Sequence, residues 1–272
     1  MSASDHESRS YDGCYADFDS PLQQQLRREA YGQDIGQHSW VTANELEQDI
    51  PRLRLSRTSR LLDLGCGAGG PLAFIVGLVG CQGSGTDLSS KAISAGRARA
   101  KSQSLGELFT VQEADLNEPI PFASGSFHAV MCLDVILHLH DRAGLFREAV
   151  RVLTPGGRFL FTDAGVITGA VSETEIRRRA IHGHTQFVPP GYNERVLELA
   201  GVRLIERVDR TASLVNNAKG RITARLAHRA AIEAAEGNDR FESQQQYLET
   251  VLRLGERGAL SRIMYLGESP GM

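Results

Sequence analysis

Arg60-Leu-Leu-Asp-Leu-Gly-Cys-Gly-Ala-Gly-Gly-Pro71 is the stretch on which the fold turns. Leu61, Leu62 and Leu64 make a short apolar run of the kind buried in a parallel sheet. Asp63 interrupts the run, glycines follow at 65, 67, 69 and 70, and Pro71 opens the apolar segment to Val79, where a helix tolerates proline. Strand, glycine turn and helix form the first unit of a doubly wound sheet, which offers a ligand the N–H groups at a helix start.

Two ligands compete for that turn. Gly65-x-Gly67-x-x-Gly70 satisfies the dinucleotide fingerprint, and Asp87, 20 residues past Gly67, suits ribose hydroxyls. Taken alone, this favours NAD and an oxidoreductase. Asp63 points elsewhere: a carboxylate aimed into the turn repels a pyrophosphate but suits an ammonium or sulfonium charge. S-adenosylmethionine carries both. The stretch resembles motif I of the class I methyltransferases, with Asp63, Gly65, Gly67 and Gly69 standing at its acidic and glycine positions and Cys66 between them.

Outward from the turn, the pattern alternates as a βαβ series should. Strands are expected at residues 82–88, ending on Asp87, at 109–116, ending on Asp115, at 127–134 and at 158–163. Helices are expected at 89–103 and from Asp141 to Leu153, with Thr154-Pro-Gly-Gly157 turning the chain into the fifth strand. Beyond Asp163 come helices at 172–181 and 192–200, a strand at 202–208, and a long helical stretch at 217–257 broken near Gly237. The final strand, 261–268, reads as alternating in exposure.

Ahead of the turn, Pro21–Tyr31 and Thr42–Ile50 are expected helices, joined by a glycine-punctuated loop that holds Trp40, the only tryptophan. The implied organisation is a polar, disordered tail (1–10), a helical lid (11–50), a ligand-binding core (51–165), a substrate-binding insertion with the sixth strand (166–260), and the last strand with its tail (261–272). The fold class is α/β: a doubly wound, seven-stranded Rossmann-like methyltransferase sheet with an N-terminal helical lid and a helical insertion before the last strand.

Composition narrows the partners. With 41% hydrophobic and 23% charged residues and a net charge of −3, the 272-residue chain gives no reason to expect nucleic acid or an anionic membrane. Cys14, Cys66, Cys81 and Cys132 show no CxxC spacing and read as reduced thiols of a cytoplasmic protein. The first residues have neither the basic region nor the apolar core of a signal peptide. A small-molecule acceptor and a monomer or homodimer are expected.

At the strand ends, Asp87 with Leu88 can accept from ribose hydroxyls, and Asp115 with Leu116 can take an adenine edge. Leu133-Asp-Val-Ile-Leu-His-Leu-His-Asp-Arg142 resembles the fourth-strand segment of phosphoethanolamine N-methyltransferases; sarcosine/dimethylglycine and sugar O-methyltransferases look similar there. The resemblance places Leu133 at the cofactor, makes Asp134 and His138 active-site residues, and pairs the histidine with a lid tyrosine, for which Tyr15 is the candidate. A histidine titrating near neutrality suits an acceptor that must lose a proton. Trp40, Asp163, His182 and His184 are the remaining candidates for the acceptor pocket. In phosphoethanolamine enzymes an arginine and a tyrosine hold the phosphate, whereas the matching stretch here is His182-Gly-His-Thr-Gln-Phe187, which turns the reading toward other small amines, amino acids or hydroxylated metabolites. No closed zinc set is present in the spacing, and no metal is expected. The resulting expectation is a small-molecule N- or O-methyltransferase using S-adenosylmethionine. The alternatives are a natural-product or sugar O-methyltransferase, an NAD-dependent oxidoreductase and a non-catalytic S-adenosylmethionine sensor.

Overall fold

The computed structural model describes residues 12–15, 17–181 and 183–271. The expected tail 1–10, Tyr11 and His182 lie outside the described residues. Seven strands form one sheet in the order β3-β2-β1-β4-β5-β7-β6. β1 (Arg60–Leu64) is buried beyond its first residue and pairs in parallel with β2 (Gln82–Asp87) on one side and β4 (Phe127–Leu133) on the other. β3 (Phe109–Glu113) flanks β2, and β5 (Leu153–Ile167) flanks β4. The chain therefore winds outward to β3 and restarts beside β1, opening a crevice at the strands' carboxyl ends.

Residues 12–15 are helical, and two helices, α1 (Pro21–Tyr31) and α2 (Ala43–Leu53), precede the sheet. Ser20 and Thr42 cap them by accepting from Gln23 and Glu45 backbone N–H groups. α2 runs three residues further than its pattern suggests. Pro51 sits in its last turn, and Arg54 in a left-handed conformation ends it. α3 (Gly70–Val79) and α4 (Ser90–Ser102) follow β1 and β2, and α5 (Arg142–Val152) is capped by Asp141 as expected. Two clusters of buried side chains cover the two faces of the sheet, one around Phe146, Phe159 and Phe161, the other around Leu61, Leu72 and Met131.

Several expectations shift. β3 stops at Glu113, so Asp115 lies in the following loop, where its carboxylate accepts the Asn117 N–H at 2.9 Å. Thr154–Gly157 belongs to β5, whose 15 residues run to Ile167. α6 (Glu173–Arg179) is shorter than its pattern, closed at its start by a reciprocal Ser172–Glu175 capping box. α7 (Tyr192–Leu199) and β6 (Arg203–Asp209) stand as read. The long helical stretch begins earlier, at Thr211, and breaks at His228 as well as at Gly237, giving α8 (Thr211–Ala227), α9 (Arg229–Glu236) and α10 (Asn238–Glu256).

The largest departure is β7 (Leu260–Glu268), buried along all but its last residue rather than alternating in exposure. It lies between β5 and β6, antiparallel to both, with α8 and α10 packed over it. An interior strand covered on both faces has no side to give to water. Among the described residues, no helix is long and apolar enough to cross a membrane.

Candidate active site

The crevice holds a cavity of about 170 Å³. Its floor is the glycine turn. Asp63, Gly65, Cys66, Gly67, Asp87, Leu88, Asp115, Leu116 and Leu133, all expected at a cofactor, line it together. Asp87 Oδ2 accepts the Gly67 N–H at 2.8 Å and Oδ1 the Ser89 N–H at 3.0 Å, so this carboxylate ties the turn to the end of β2. Asp63 is 2% exposed, and among the described residues no hydrogen-bond donor meets its carboxylate. Burial, and then the charge of Asp87, hold its carboxyl well above the usual range. A buried, unpartnered carboxylate facing a cavity is costly unless a cation joins it. That observation fits the ammonium or sulfonium of S-adenosylmethionine and does not fit a pyrophosphate.

The glycines divide the work. Gly67 has φ +55°, and a Cβ there would stand 2.5 Å from the Tyr15 hydroxyl, so Tyr15 closes directly over the turn. A Cβ on Gly70 would collide with the backbone carbonyls of Ile35 and Gly36. The third glycine of the fingerprint thus seats the loop of Ile35 and Gly36 on the start of α3. Gly69 is the one member of the expected turn set that does not line the cavity; it lies against the Phe109 ring.

Across from the acidic floor stand His138, Trp40, Tyr15 and Asp134. His138 lies in a short 3-10 turn after β4. Its Nδ1 is 3.0 Å from the His184 carbonyl, which can only accept, so Nδ1 carries the proton and Nε2 the lone pair. Burial lowers its pKa to about 4, against a smaller upward pull from that hydrogen bond. The expected imidazole titrating near neutrality is thereby corrected: His138 is a neutral hydrogen-bond acceptor at physiological pH. His184 contributes its carbonyl, while its ring stacks on His140 at 4.0 Å, away from the cavity lining.

Asp134 borders the cavity but is fully engaged in holding it together. Its backbone has φ +60°, and its carboxylate accepts from Trp40 N–H (3.0 Å), Thr162 Oγ1 (2.8 Å) and Arg262 Nε (2.8 Å). Arg262 continues to Glu45 of α2 at 2.8 Å. Trp40 is pinned a second time, by Asn217 Nδ2 on its carbonyl at 2.5 Å. Asp163, expected in the acceptor pocket, does not line it. It is fully buried, with Arg142 Nη1 at 2.5 Å and Asn193 Nδ2 at 2.8 Å, and it anchors α5 and α7 to β5.

Among the pocket residues that escaped the sequence reading are His38, Arg179, Arg221 and Tyr247. His38 sits 5.4 Å from the Tyr15 ring, and burial among arginines depresses its pKa to about 3. Its place in the glycine-punctuated loop beside Trp40 was the one available signal. The others come from α6, α8 and α10, whose helical pattern does not say which face meets the cavity. Among the described residues, no group of three or more His, Cys, Asp or Glu is placed to hold a metal ion.

The sequence profile of the methyltransferase domain family matches residues 62–161. A methyltransferase named GfsG from Streptomyces halstedii is 29% identical, the match covering 63% of this chain and 56% of that protein. A sarcosine/dimethylglycine N-methyltransferase from Halorhodospira halochloris is 32% identical over 65% of this chain and 62% of its own length. The chain thus spans under two thirds of these curated relatives. The crystal structure of a putative sarcosine dimethylglycine methyltransferase from Galdieria sulphuraria superposes with a TM-score of 0.81, at 19% identity, over 96% of this chain and 99% of that one. Residues 62–161 thus resemble a methyltransferase domain, and the seven-stranded sheet that carries them has the fold of the superposed Galdieria structure.

Proposed function

We propose that this chain is an S-adenosylmethionine-dependent methyltransferase acting on a nitrogen or oxygen of a small metabolite. The observation that carries the reading is Asp63: a buried carboxylate without a donor, at the glycine turn, across one cavity from a neutral histidine. Asp63 balances the cofactor's positive charge, Asp87 takes the ribose hydroxyls, and Asp115 with the Leu116 N–H takes the adenine. When bound, S-adenosylmethionine supplies an electrophilic methyl carbon.

The remaining work is positioning. Tyr15 and Trp40 cover the site and exclude water, Trp40 with its backbone held by Asp134 and Asn217. His138 Nε2 accepts an N–H or O–H of the acceptor and so orients the attacking lone pair. That bond strengthens as positive charge develops on the attacking atom, which stabilises the transition state more than the ground state. A small-molecule acceptor, a monomer or homodimer, and a reducing cytoplasmic setting for the four cysteines complete the reading.

Calorimetry with S-adenosylhomocysteine and NAD tests it. Binding of the first and not the second is expected, and the opposite result overturns the assignment. Screening metabolites with methyl-labelled cofactor then identifies the acceptor.

A further inference from the structure

We propose that the methyl acceptor is an anion whose carboxylate or phosphate is held between Arg179 of α6 and Arg221 of α8. This rests on the methyltransferase reading and names the acceptor's class. The cavity is electrically divided. Three of its four acidic residues, Asp63, Asp87 and Asp115, lie at the glycine-turn end, and both arginines face the same cavity from the insertion.

Among the described residues, neither guanidinium has a salt-bridge partner: no carboxylate stands within 4.0 Å of either one. Arg179 is 2% exposed; its Nη2 donates to the Ala164 carbonyl at 3.2 Å, and its Nε is buried without a partner. Arg221 is half-buried, with its guanidinium 4.9 Å from the Trp40 ring centre. Arg179 lies likewise 5.2 Å from the Tyr247 ring, and the two rings are 6.2 Å apart. Stacking on aromatic faces fixes each guanidinium's plane and leaves its N–H edges for an oxyanion.

Asp134, the fourth carboxylate that lines the cavity, is already taken by Arg262, Thr162 and the Trp40 N–H. His38 and His138, which also line it, are neutral. Uncompensated buried cations destabilise a fold unless a ligand completes them, and charge-assisted bidentate pairs are how arginine recognises carboxylate and phosphate. Both residues lie outside residues 182–187, the stretch that stands where the resembling phosphoethanolamine enzymes hold their phosphate. Arg221 also lines a neighbouring cavity of about 110 Å³, where Arg225 and Arg240 share the single carboxylate of Glu236.

The test titrates protein saturated with S-adenosylhomocysteine with inorganic phosphate, with acetate, and with neutral acetamide. Saturable oxyanion binding, with Kd on the order of 1–10 mM, is expected, and none for acetamide. Arg221→Gln and Arg179→Gln should each weaken it about tenfold or more, with affinity for S-adenosylhomocysteine within roughly twofold of wild type. Phosphate binding more tightly than acetate assigns a phosphorylated acceptor, and the reverse a carboxylate. Absence of saturable oxyanion binding up to roughly 100 mM, or equal binding by Arg221→Gln, overturns the proposal. Should Arg179→Gln fail to fold, the half-exposed Arg221 decides alone. Failure of S-adenosylhomocysteine itself to bind would instead strike the methyltransferase reading.

Discussion

Arg262 Nε donates to Asp134 Oδ1 at 2.8 Å, while Oδ2 of the same carboxylate accepts the backbone N–H of Trp40 at 3.0 Å. The last strand thus reaches the lid through one aspartate. Arg262 is fully buried, and the adjacent charges of Asp134 and Glu45 outweigh burial and hold its guanidinium protonated. We read Asp134 in consequence as a positioning residue whose removal acts through the Trp40 loop.

Asp134→Ala should cost about 3–5 kcal/mol, because it leaves buried Arg262 short of one counter-charge. Urea denaturation measures the loss. Asp134→Asn keeps an acceptor for one partner and should cost less. Unchanged stability with a large fall in kcat would show instead that Asp134 acts on the reaction directly.

His138→Ala should lower kcat by about 10²–10⁴, and His138→Gln, which retains an acceptor, should recover part of it. With burial holding the imidazole near a pKa of about 4, the wild-type rate should be flat through pH 6.5 and fall only as the pH approaches that value. An acid limb near 6.5 that disappears in the mutant would restore the general-base role.

Cofactor binding should release a proton through Asp63. In the free protein its carboxyl is held above the ordinary range by burial and by Asp87, and a cation placed beside it lowers that pKa. Between the two values, binding ionises Asp63, and affinity rises with pH. Calorimetry in buffers of differing ionisation enthalpy reads the proton; Asp63→Asn should abolish its release. Equal release in the variant would place the proton elsewhere.

Gly70→Ala isolates the lid seat. At the first position of α3, alanine normally favours a helix by about 0.5–1 kcal/mol. Here its Cβ would strike the Ile35 and Gly36 carbonyls, which are backbone and cannot rotate aside. The variant should show red-shifted emission from Trp40, 4% exposed in the wild type, and faster proteolysis at residues 32–40. Unchanged emission together with raised stability would remove the lid contact from the account.

The acidic floor was legible because local sequence makes it. Asp63 and the glycines sit in one turn, and Asp87 and Asp115 follow their own strands at the same sheet edge. The roles of Asp134 and Asp163 were not legible, since a strand-end aspartate reads alike whether it faces a ligand or a buried arginine. Their partners Arg262 and Arg142 lie 128 and 21 residues away. β7 misled for a related reason: Ser261 and Arg262 look like exposed positions, yet Arg262 is buried by ion pairing, and Ser261 is buried beside Thr168. The arginines of the acceptor side come from helices whose orientation is set by tertiary packing.

The Arg262–Glu45 contact joins positions 217 apart. During synthesis the glycine turn and the strands around it emerge well before Arg262, which ties Glu45 and Asp134 together. A growing chain can therefore assemble the cofactor floor long before it can close the roof. β7 must slide between β5 and β6 before Arg262 meets Glu45 and Asp134. Closure of such distant contacts is slow compared with helix formation. The cavity's wall then waits on β7, so a chain cut short before residue 260 carries the whole fingerprint without the Arg262 contacts to Asp134 and Glu45.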